Sequence, residues 1–413
     1  MNFKAVVGLG FGDEGKGKTV DYLCARNLKS IVIRYSGGHQ VGHTVISREK
    51  NIKHVFSNFG SGTLRGVPTY WSEFCTVDPL GIVTEAGVLE SKGIRPTLYV
   101  HPKCPVTTPY EKYFNMNHSF TLANGSCGVG VNATYKRESS NYSLLFEDIF
   151  YPTILKVKLA ILEQYYRTEL HLGITKIMKA DVDMFLNCCT LIASGSIKYV
   201  SMSTINALPE AVEDDRILIF EGSQGLLLDQ NFGFYPNVTP ASTGTVNILQ
   251  IVTSLENQLK HRGWGADWMH THFPKDIGLF LVTRAYATRH GNGPMSDERK
   301  LKLSNTDDET NIKHKYQGNF RTGALDISWL EYAIQKDEYI KNKLTSVGTT
   351  LVFNHIDQFL ESKGTHREVQ YKDGYSLNST SPVHLGLALL DRLHIKNILF
   401  GHGPDSLTQS SST

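Results

Sequence analysis

The 413-residue sequence predicts an α/β fold with a central, mainly parallel sheet that is flanked by helices. Two observations predict this class: short β-branched runs recur along the chain, and stretches with helical periodicity separate them. Strands that alternate with helices in this way form parallel sheets that are covered on both faces. The first unit consists of a buried strand over residues 5–9, a helix over about 15–26 and a second strand over 30–34.

The remaining elements continue the same alternation. Further strands are predicted over 216–220, 277–282 and 350–353, and the run 395–400 is predicted to be the last strand. Apolar residues at helical spacing over about 151–195 predict helical subdomains beside the sheet. We expect a single domain over 1–405, a mobile loop over about 296–319 and a frayed tail over 406–413.

The composition favours an ordinary globular protein. Charged residues make up 20% of the chain and hydrophobic residues 40%, and the formal net charge is +2. This balance indicates neither a nucleic-acid nor a membrane-surface partner, and no apolar run approaches the ~18 residues that a membrane span needs. The six cysteines contain no Cys-x-x-Cys pair, which favours reduced thiols and a cytoplasmic location.

A glycine-rich segment, Gly8-Leu-Gly-Phe-Gly-Asp-Glu-Gly-Lys-Gly-Lys18, joins the first predicted strand to the first helix. It matches the phosphate-binding P-loop pattern up to Lys16, with Gly17 in place of the usual serine or threonine. Backbone N–H groups and the helix dipole favour anions at such a place. The alternative is a turn that only packs a helix against a strand. Because charged residues lie among five glycines, we favour a P-loop-NTPase-like site, with metal ligation or proton abstraction as the role of Asp13.

Two further motifs follow predicted strands, where the active crevice of an open α/β sheet lies. Gly37-Gly-His-Gln-Val-Gly-His-Thr44 follows the strand over 30–34, which we expect to neighbour the strand over 5–9, so that His43 faces the Asp13 loop. Glu221-Gly-Ser-Gln-Gly225 is expected just past the strand over 216–220, and Gln224 can read the paired donor and acceptor groups of a heterocycle. The alternatives are a structural or solvated histidine and an amide that caps the next helix.

The fourth motif is Asn354-His-Ile-Asp357, after the strand over 350–353. It approximates the Asn-Lys-x-Asp motif that reads guanine in GTP-binding proteins, with His355 in the position of the lysine. A carboxylate can accept both N–H groups of the guanine edge. The alternative is that Asp357 only caps a helix.

Taken in order, these motifs resemble those of the adenylosuccinate synthetases, and the resemblance extends over about residues 3–405. The run Gly12-Asp-Glu-Gly-Lys-Gly-Lys18 is close to a signature of that family. Further motifs follow in the family's order: Tyr235-Pro-Asn-Val-Thr239, Ala285-Tyr-Ala-Thr-Arg289, Gly291-Asn-Gly-Pro294 and Gly403-Pro-Asp405. The resemblance rests on this collinear order more than on any later motif alone.

The resemblance implies a ligase that uses GTP, with ATP as an alternative, to aminate a purine nucleoside monophosphate in two steps. Asp13 would take the N1 proton of an IMP-like base, whose 6-oxygen attacks the γ-phosphate of GTP. His43 would stabilise the transferring phosphoryl group, and Lys16 would contact the phosphates. Aspartate would then displace phosphate, giving adenylosuccinate or a close analogue. Mg²⁺ would lie between Asp13, the carbonyl of Gly42 and the phosphates, and the enzyme would be a homodimer.

The resemblance also assigns binding residues. Gln224 would read the monophosphate's base and Asp357 would read guanine, while Gln40, the pair Ser126-Cys127 and Thr239 would hold the monophosphate. With the loop residues included, the residues assigned to nucleotide binding are Gly12, Glu14, Gly15, Gly17, Lys18, Gln40, Thr44, Ser126, Cys127, Thr239, His290, Arg321, Asn354, Asp357 and Gly403.

The sequence departs from the family pattern at several positions. The amine-binding segment keeps its ending from Arg321 to Asp326, but residues 315–320 lack the family's threonine- and arginine-rich run. Arg321 therefore remains as the guanidinium fork for an aspartate carboxylate. His290 stands where the family has valine. Lys136 and Arg137 are nearby substitutes for the arginine that a neighbouring subunit lends to the monophosphate.

These departures leave two alternatives to an IMP-aspartate ligase. One is a paralogue that uses another amine or another monophosphate, such as dGMP in phage-type synthetases. Those enzymes typically replace the catalytic aspartate, so Asp13 favours a base without a 2-amino group. The other is a nucleotide-binding regulator that has lost synthesis, although pure binding needs no general base.

Overall fold

The computed structural model describes residues 3–117, 126–168, 171, 173, 175–197, 200–202, 207–274, 276–304, 316, 318–361, 366–403 and 407–409. Most of the predicted tail, and residues 305–315 and 317 of the predicted mobile loop, therefore lie outside the described residues.

Seventeen strands lie in these residues. They are β1 (Phe3–Gly8), β2 (Ser30–Arg34), β3 (His43–Ser47), β4 (Ile52–Phe56), β5 (Thr69–Trp71), β6 (Leu98–Val100), β7 (Val200–Met202), β8 (Ile217–Gly225), β9 (Ile277–Arg284), β10 (Ala287–His290), β11 (Phe320–Gly323), β12 (Leu325–Asp326), β13 (Thr349–Asn354), β14 (Val369–Asp373), β15 (Ser376–Thr380), β16 (Asn397–Gly401) and β17 (Leu407–Gln409).

Twelve α-helices lie in the same part of the chain. They are α1 (Lys16–Arg26), α2 (Pro79–Ser91), α3 (Pro109–Asn117), α4 (Val131–Glu138), α5 (Pro152–Thr168), α6 (Lys176–Ala193), α7 (Ala207–Glu213), α8 (Val246–His261), α9 (Ala266–His272), α10 (Ile327–Lys336), α11 (Glu338–Lys343) and α12 (Pro382–Arg392).

Ten of the strands form one sheet in the order β17-β16-β13-β9-β1-β8-β2-β5-β6-β7. All neighbours in it are parallel except β16 and β17, which are antiparallel. The central strands are apolar and buried along their length, as expected where helices cover both faces. The predicted α/β fold with a mainly parallel sheet is confirmed.

The sheet order corrects one expectation about the site. We expected β1 and β2 to be neighbours, but β8 lies between them and pairs in parallel with both. Strand order depends on contacts between distant parts of the chain, and no local pattern reports it. As a result, the carboxyl ends of three strands, and not two, meet beside the glycine-rich loop.

Two strand boundaries also differ from the expectation. The strand predicted over 216–220 continues through Gly225, so the Glu221–Gly225 motif lies within β8 and not after it. The run 395–400 is not the last strand, because β17 follows β16 and pairs with it at the edge of the sheet. The glycine and polar residues of the Glu221–Gly225 motif have a low propensity for strands. Pairing with β1 overrides this propensity, so the motif continues β8.

The predicted helices over 151–195 are present as α5 and α6. Both helices pack against α3 around a second hydrophobic cluster. This cluster includes the buried side chains of Phe146, Tyr166 and Phe185. The main cluster lies between the sheet and the helices α8, α10 and α12. No helix in the described residues is long and apolar enough to cross a membrane.

Candidate active site

The loop between β1 and α1 has the left-handed turns that its glycines allow. Gly12 and Gly15 have φ values of 96° and 92°, and Asp13 also lies in the left-handed region at 58°. A Cβ on Gly15 would lie 2.7 Å from the amide nitrogen of Asn354, so glycine is required there for space as well. The loop therefore delivers the N-terminus of α1 to the carboxyl edge of the sheet, where an anion is favoured.

The interior of this loop binds the carboxylate of Glu14. The carboxylate accepts the backbone N–H groups of Gly10 at 3.0 Å and Gly12 at 2.8 Å. It also accepts a hydrogen bond from the ammonium of Lys16 at 2.5 Å, and both side chains are buried. Backbone N–H groups and a lysine are the donors that bind phosphate in P-loops. The loop is thus arranged around an anionic group.

Asp13 lies at the surface of the cleft and contacts His290. Its carboxylate is 3.2 Å from Nε2 of His290, and its carbonyl accepts a hydrogen bond from Arg284 at 2.8 Å. Removal from water in the cleft raises the pKa of Asp13, but the His290 hydrogen bond and the charges of Arg284 and Lys16 lower it by more. The pKa of this carboxyl is therefore below its usual value, and Asp13 is ionised at neutral pH.

His43, the first residue of β3, is held by Glu221 from β8. Nδ1 of His43 lies 2.7 Å from the Glu221 carboxylate, which is fully buried. That carboxylate also accepts the backbone N–H of Ser61 at 3.2 Å and the Ser61 hydroxyl. Since a carboxylate only accepts, we assign the proton of His43 to Nδ1, which leaves Nε2 for a ligand.

The charges of this pair are consistent with that assignment. Burial and the charges of Arg34 and Lys16 together lower the pKa of His43 by more than Glu221 raises it, so the imidazole is neutral at neutral pH. Burial raises the pKa of Glu221, but His43, Arg34 and Ser61 outweigh it, so the pKa is lowered and the carboxylate is ionised. Sequence reasoning missed Glu221 as the partner of His43. The available signal was a charged residue that directly follows the apolar strand residues 217–220.

Asp13 and Lys16 lie in the loop at the start of α1, and the positive charge of Lys16 lowers the pKa of both Asp13 and His43. Gly17 stands between α1 and His43, and a Cβ there would lie 2.7 Å from the Cβ of His43. The missing P-loop serine or threonine at this position thus has a steric cause. Thr44 follows His43 on β3, and the exposed Gly42 precedes it.

Two glutamine side chains meet beside Gly37. A Cβ on Gly37 would lie 2.9 Å from Oε1 of Gln224 and 2.9 Å from Nε2 of Gln40. Both amide atoms of Gln40 and Oε1 of Gln224 are buried without a hydrogen-bond partner in the described structure. Buried polar groups are normally satisfied, so these amides indicate a place for a polar ligand.

Two predicted monophosphate contacts lie on a segment that packs over the same loop. Ser126 exchanges hydrogen bonds with Asn115, and Cys127 follows it. His39 contacts the carbonyl of Val129 at 2.9 Å, which connects the segment to the loop that carries Gln40. Thr239, which is buried, donates its backbone N–H to the carbonyl of Leu228 in the segment that follows β8.

The predicted guanine motif reaches the loop through Asn354. The amide of Asn354 donates to the carbonyl of Glu14 at 2.8 Å, so this side chain supports the loop backbone from the end of β13. Lys18 donates to the carbonyl of Gly403 at 2.9 Å, which connects α1 to the segment after β16. Asp357 lies on a short 3-10 helix after His355, which adopts a left-handed conformation.

Arg321, which we expected as the guanidinium fork for an aspartate carboxylate, is engaged by groups of the same chain. It forms an ion pair with Glu298 and donates to the carbonyls of Gly291 and Gly293. A second arginine, Arg289, for which the sequence analysis gave no role of its own, is buried over the ring of Phe11. Sequence patterns cannot show which acceptors a guanidinium has already engaged.

Arg137 is unsuited to the role of an arginine lent to a neighbouring subunit. Its guanidinium is fully buried, lies 3.0 Å from both Glu111 and Glu138, and donates to the carbonyl of Val106. Burial with two carboxylates makes it a structural residue of this chain. Lys136 beside it is exposed.

The fold and the site define a P-loop-like α/β enzyme whose loop carries acidic, basic and imidazole groups together. The family model of adenylosuccinate synthetase matches residues 5–358, and the chain belongs to this family. It is therefore a ligase that forms a carbon–nitrogen bond, in a family of purine biosynthesis that binds GTP and Mg²⁺. Membership in this family argues against the alternative of a nucleotide-binding regulator.

Curated relatives are similar over most of the chain. An adenylosuccinate synthetase of Francisella philomiragia is 28% identical over 364 residues, which is 85% of this chain and 78% of the relative. One of Buchnera aphidicola is 29% identical over 401 residues, which is 93% of this chain and 86% of the relative.

Two solved structures share the fold. Fully ligated adenylosuccinate synthetase from Plasmodium falciparum matches with a TM-score of 0.74 at 16% identity and covers 100% of both chains. Cyanophage S-2L succinoaminodeoxyadenylate synthetase, bound to dGMP and to dATP as an energy donor, matches with a TM-score of 0.62 at 15% identity, over 99% of this chain and 95% of that chain.

Proposed function

We propose that this enzyme uses GTP to phosphorylate the 6-oxygen of an IMP-like purine nucleoside monophosphate and then couples the activated base to L-aspartate. The product is adenylosuccinate or a close analogue. The observation that carries the proposal is that Asp13 and Lys16 lie in the loop at the start of α1 and that His43 lies against Gly17 in the same place. Phosphoryl transfer depends mainly on positioning and electrostatic stabilisation, and these three groups supply both.

Asp13 is the group for proton removal from the base. Its lowered pKa keeps the carboxylate ionised, so that it can accept the N1 proton while the 6-oxygen attacks the γ-phosphate. The contact with His290 holds the carboxylate at the cleft surface. The unpaired Oε1 of Gln224 suits the base, and the unpaired amide of Gln40 suits the monophosphate. The pair Ser126-Cys127 and Thr239 complete the monophosphate site in this proposal.

His43 is the group for the transferring phosphoryl. Its Nδ1 is committed to Glu221, so Nε2 is directed to the ligand, and Glu221 stabilises any positive charge that forms on the ring. Lys16 would exchange its contact with Glu14 for a phosphate oxygen. Asn354 supports the loop, and Asp357 is the residue proposed to read guanine.

The residues present fit a Mg²⁺ ion at Asp13 and the Gly42 carbonyl. Mg²⁺ prefers oxygen ligands and usually binds through one or two carboxylates together with phosphates and water. Asp13 offers an ionised carboxylate at the cleft surface, and Gly42 is exposed beside His43. Within the described residues no group of three acidic, histidine or cysteine side chains could hold a metal alone, which agrees with a site that the nucleotide completes. When bound, the ion would neutralise charge on the phosphates.

The direct test is phosphate release with GTP, IMP and L-aspartate, together with the mass of the product. We expect turnover, and a loss of about 10²–10⁴-fold in kcat for both Asp13→Ala and Asp13→Asn, because neither variant can accept the proton. No phosphate release with IMP and aspartate would overturn the proposal. Turnover with dGMP in place of IMP, or with another amine, would establish the paralogue instead.

The energy donor is tested in the same assay with ATP. His355 stands in the position of the motif's lysine, and its Nε2 is buried without a partner in the described structure. A kcat/KM for GTP below that for ATP would overturn the assignment of Asp357 as a guanine reader. We also expect a homodimer, which sedimentation of the purified enzyme tests.

A further inference from the structure

The guanidinium of Arg321 is anchored along one edge. Arg321 lies on β11, directly opposite Arg289 in the antiparallel pair with β10. Its NH1 group donates to the carbonyl of Gly291 at 3.1 Å and to that of Gly293 at 2.8 Å. These two bonds fix the plane of the guanidinium, so the edge formed by Nε and NH2 faces outward in a defined direction.

The outward edge binds a carboxylate of the same chain. Nε of Arg321 donates to Oε1 of Glu298 at 3.0 Å, and NH2 donates to Oε2. This is the two-point geometry in which guanidinium groups recognise carboxylates. The hydrogen bond from Arg321 lowers the pKa of Glu298, so the pair is ionic at neutral pH.

The pair is accessible from the solvent. The side chain of Glu298 is 50% exposed and that of Arg321 is 20% exposed. The backbone of Glu298 pairs with that of Gly323 in an isolated antiparallel bridge. The side chain of Glu298 can therefore move away from the guanidinium of Arg321 while this backbone pairing stays in place. A second carboxylate can make the same two-point contact with Arg321, so it can replace Glu298.

The neighbouring arginine, Arg289, has no guanidinium edge left for a carboxylate. Nε and both terminal nitrogens of Arg289 donate to the backbone carbonyls of Asn292, Pro294 and Asn237. Burial and the charge of Arg321 lower the pKa of Arg289 to about 10. An added carboxylate at this end of the cleft is therefore directed to Arg321.

We propose that Glu298 is an internal occupant of the carboxylate subsite for the amine substrate. Substrate binding exchanges the carboxylate of Glu298 for a carboxylate of the substrate on the outer edge of Arg321. Glu298 thereby lowers the affinity for the amine substrate by competing with it. It favours amines with a carboxylate that binds Arg321 tightly enough to displace Glu298. The inference rests on the proposed function in one respect, which is that the amine substrate carries a carboxylate to Arg321.

The first experiment measures Michaelis constants for Glu298→Gln. We expect the KM for aspartate to fall about two- to fivefold, because a neutral amide competes poorly for the fork. The KM for IMP in the same assay is the internal reference and stays constant. The matched control is Glu331→Gln, which breaks an exposed pair with Arg392 on the outer surface and leaves every KM unchanged. An unchanged or higher KM for aspartate in Glu298→Gln would overturn the inference.

The second experiment does not require turnover. Calorimetric titration with succinate, which has two carboxylates and no amine, measures binding to the wild-type protein and to Glu298→Gln. We expect the variant to bind succinate about two- to fivefold more tightly. Equal affinity, or no binding to either protein, would overturn the inference.

The two experiments separate this inference from the proposed function. If the variant binds succinate more tightly but the wild type does not turn over aspartate, aspartate is rejected as the substrate. The inference that Glu298 occupies the carboxylate subsite is then retained. If the wild type turns over aspartate but the substitution leaves the succinate affinity unchanged, the proposed function is retained. The inference that Glu298 occupies the carboxylate subsite is then rejected.

Discussion

Replacing Glu221 with glutamine tests how strongly catalysis depends on the orientation of His43. The carboxylate accepts three hydrogen bonds, one from Nδ1 of His43 at 2.7 Å and two from Ser61. Glutamine keeps the size of the side chain but has one oxygen and an NH2 group. The NH2 group must then face a donor, so either Ser61 loses an acceptor or His43 moves its proton to Nε2.

The magnitude follows from these contacts. One buried, charge-assisted hydrogen bond is lost and a donor is left unsatisfied, so we expect the free energy of unfolding to fall by about 1.5–3 kcal/mol. A histidine that carries its proton on the wrong nitrogen cannot offer the same group to the phosphoryl oxygen. We therefore expect kcat to fall about 10²–10⁴-fold, with a smaller change in the KM for GTP.

The assay is steady-state phosphate release, with urea unfolding of each variant. The matched control is Glu85→Gln, because Glu85 is also a buried carboxylate that contacts a histidine, His54, at 3.2 Å and accepts backbone N–H groups. We expect the control to lose similar stability and to keep kcat within about threefold of wild type. The reasoning is refuted if Glu221→Gln keeps its kcat, or if both variants lose kcat equally.

Two further predictions concern the same loop. Gly17→Ser restores the usual P-loop residue, but its Cβ would lie 2.7 Å from that of His43, so we expect it to lower kcat and to destabilise the fold by about 1–3 kcal/mol in thermal unfolding. Gly87→Ala on α2 is the control, since nothing lies within 4 Å of its Cβ, and a Gly17→Ser enzyme with normal kcat would contradict the prediction. Asn354→Ala removes the donor to the Glu14 carbonyl, so we expect about 1–3 kcal/mol lower unfolding free energy in urea and a higher KM for GTP, whereas an unchanged KM would show that the loop does not need this support.

The sequence could predict the strands that are locally unambiguous. The run 30–34 is β-branched and buried, and it forms β2 with the predicted bounds. The run 5–9 forms most of β1, which begins two residues and ends one residue earlier than predicted. Because parallel strands end at one edge of a sheet, the motifs after β1 and β2 could be expected to meet, and they do. The position of β8 between these strands could not be predicted, since it arises from pairing across about 200 residues of chain.

The site residues show the same difference between local features and long-range contacts. The loop residues and His43 could be identified because glycine spacing and strand ends are local features. The partners of those residues could not, since Glu221 reaches His43 through the insertion of β8, and Glu298 lies beside β11 through an isolated bridge to Gly323. For this reason the ion pair between Arg321 and Glu298 could not be predicted from the sequence.

The glycines of the Glu221–Gly225 motif show how packing and chemistry depend on one another in β8. A Cβ on Gly225 would lie 2.2 Å from the carbonyl oxygen of Gly10, and one on Gly222 would lie 2.6 Å from the hydroxyl of Tyr35. Both glycines are therefore needed for β8 to approach the β1 loop on one side and β2 on the other. That approach places Glu221 against His43 and brings Gln224 to Gly37. The motif resembles a ligand-binding sequence, but its spacing is set first by the close packing of three strands.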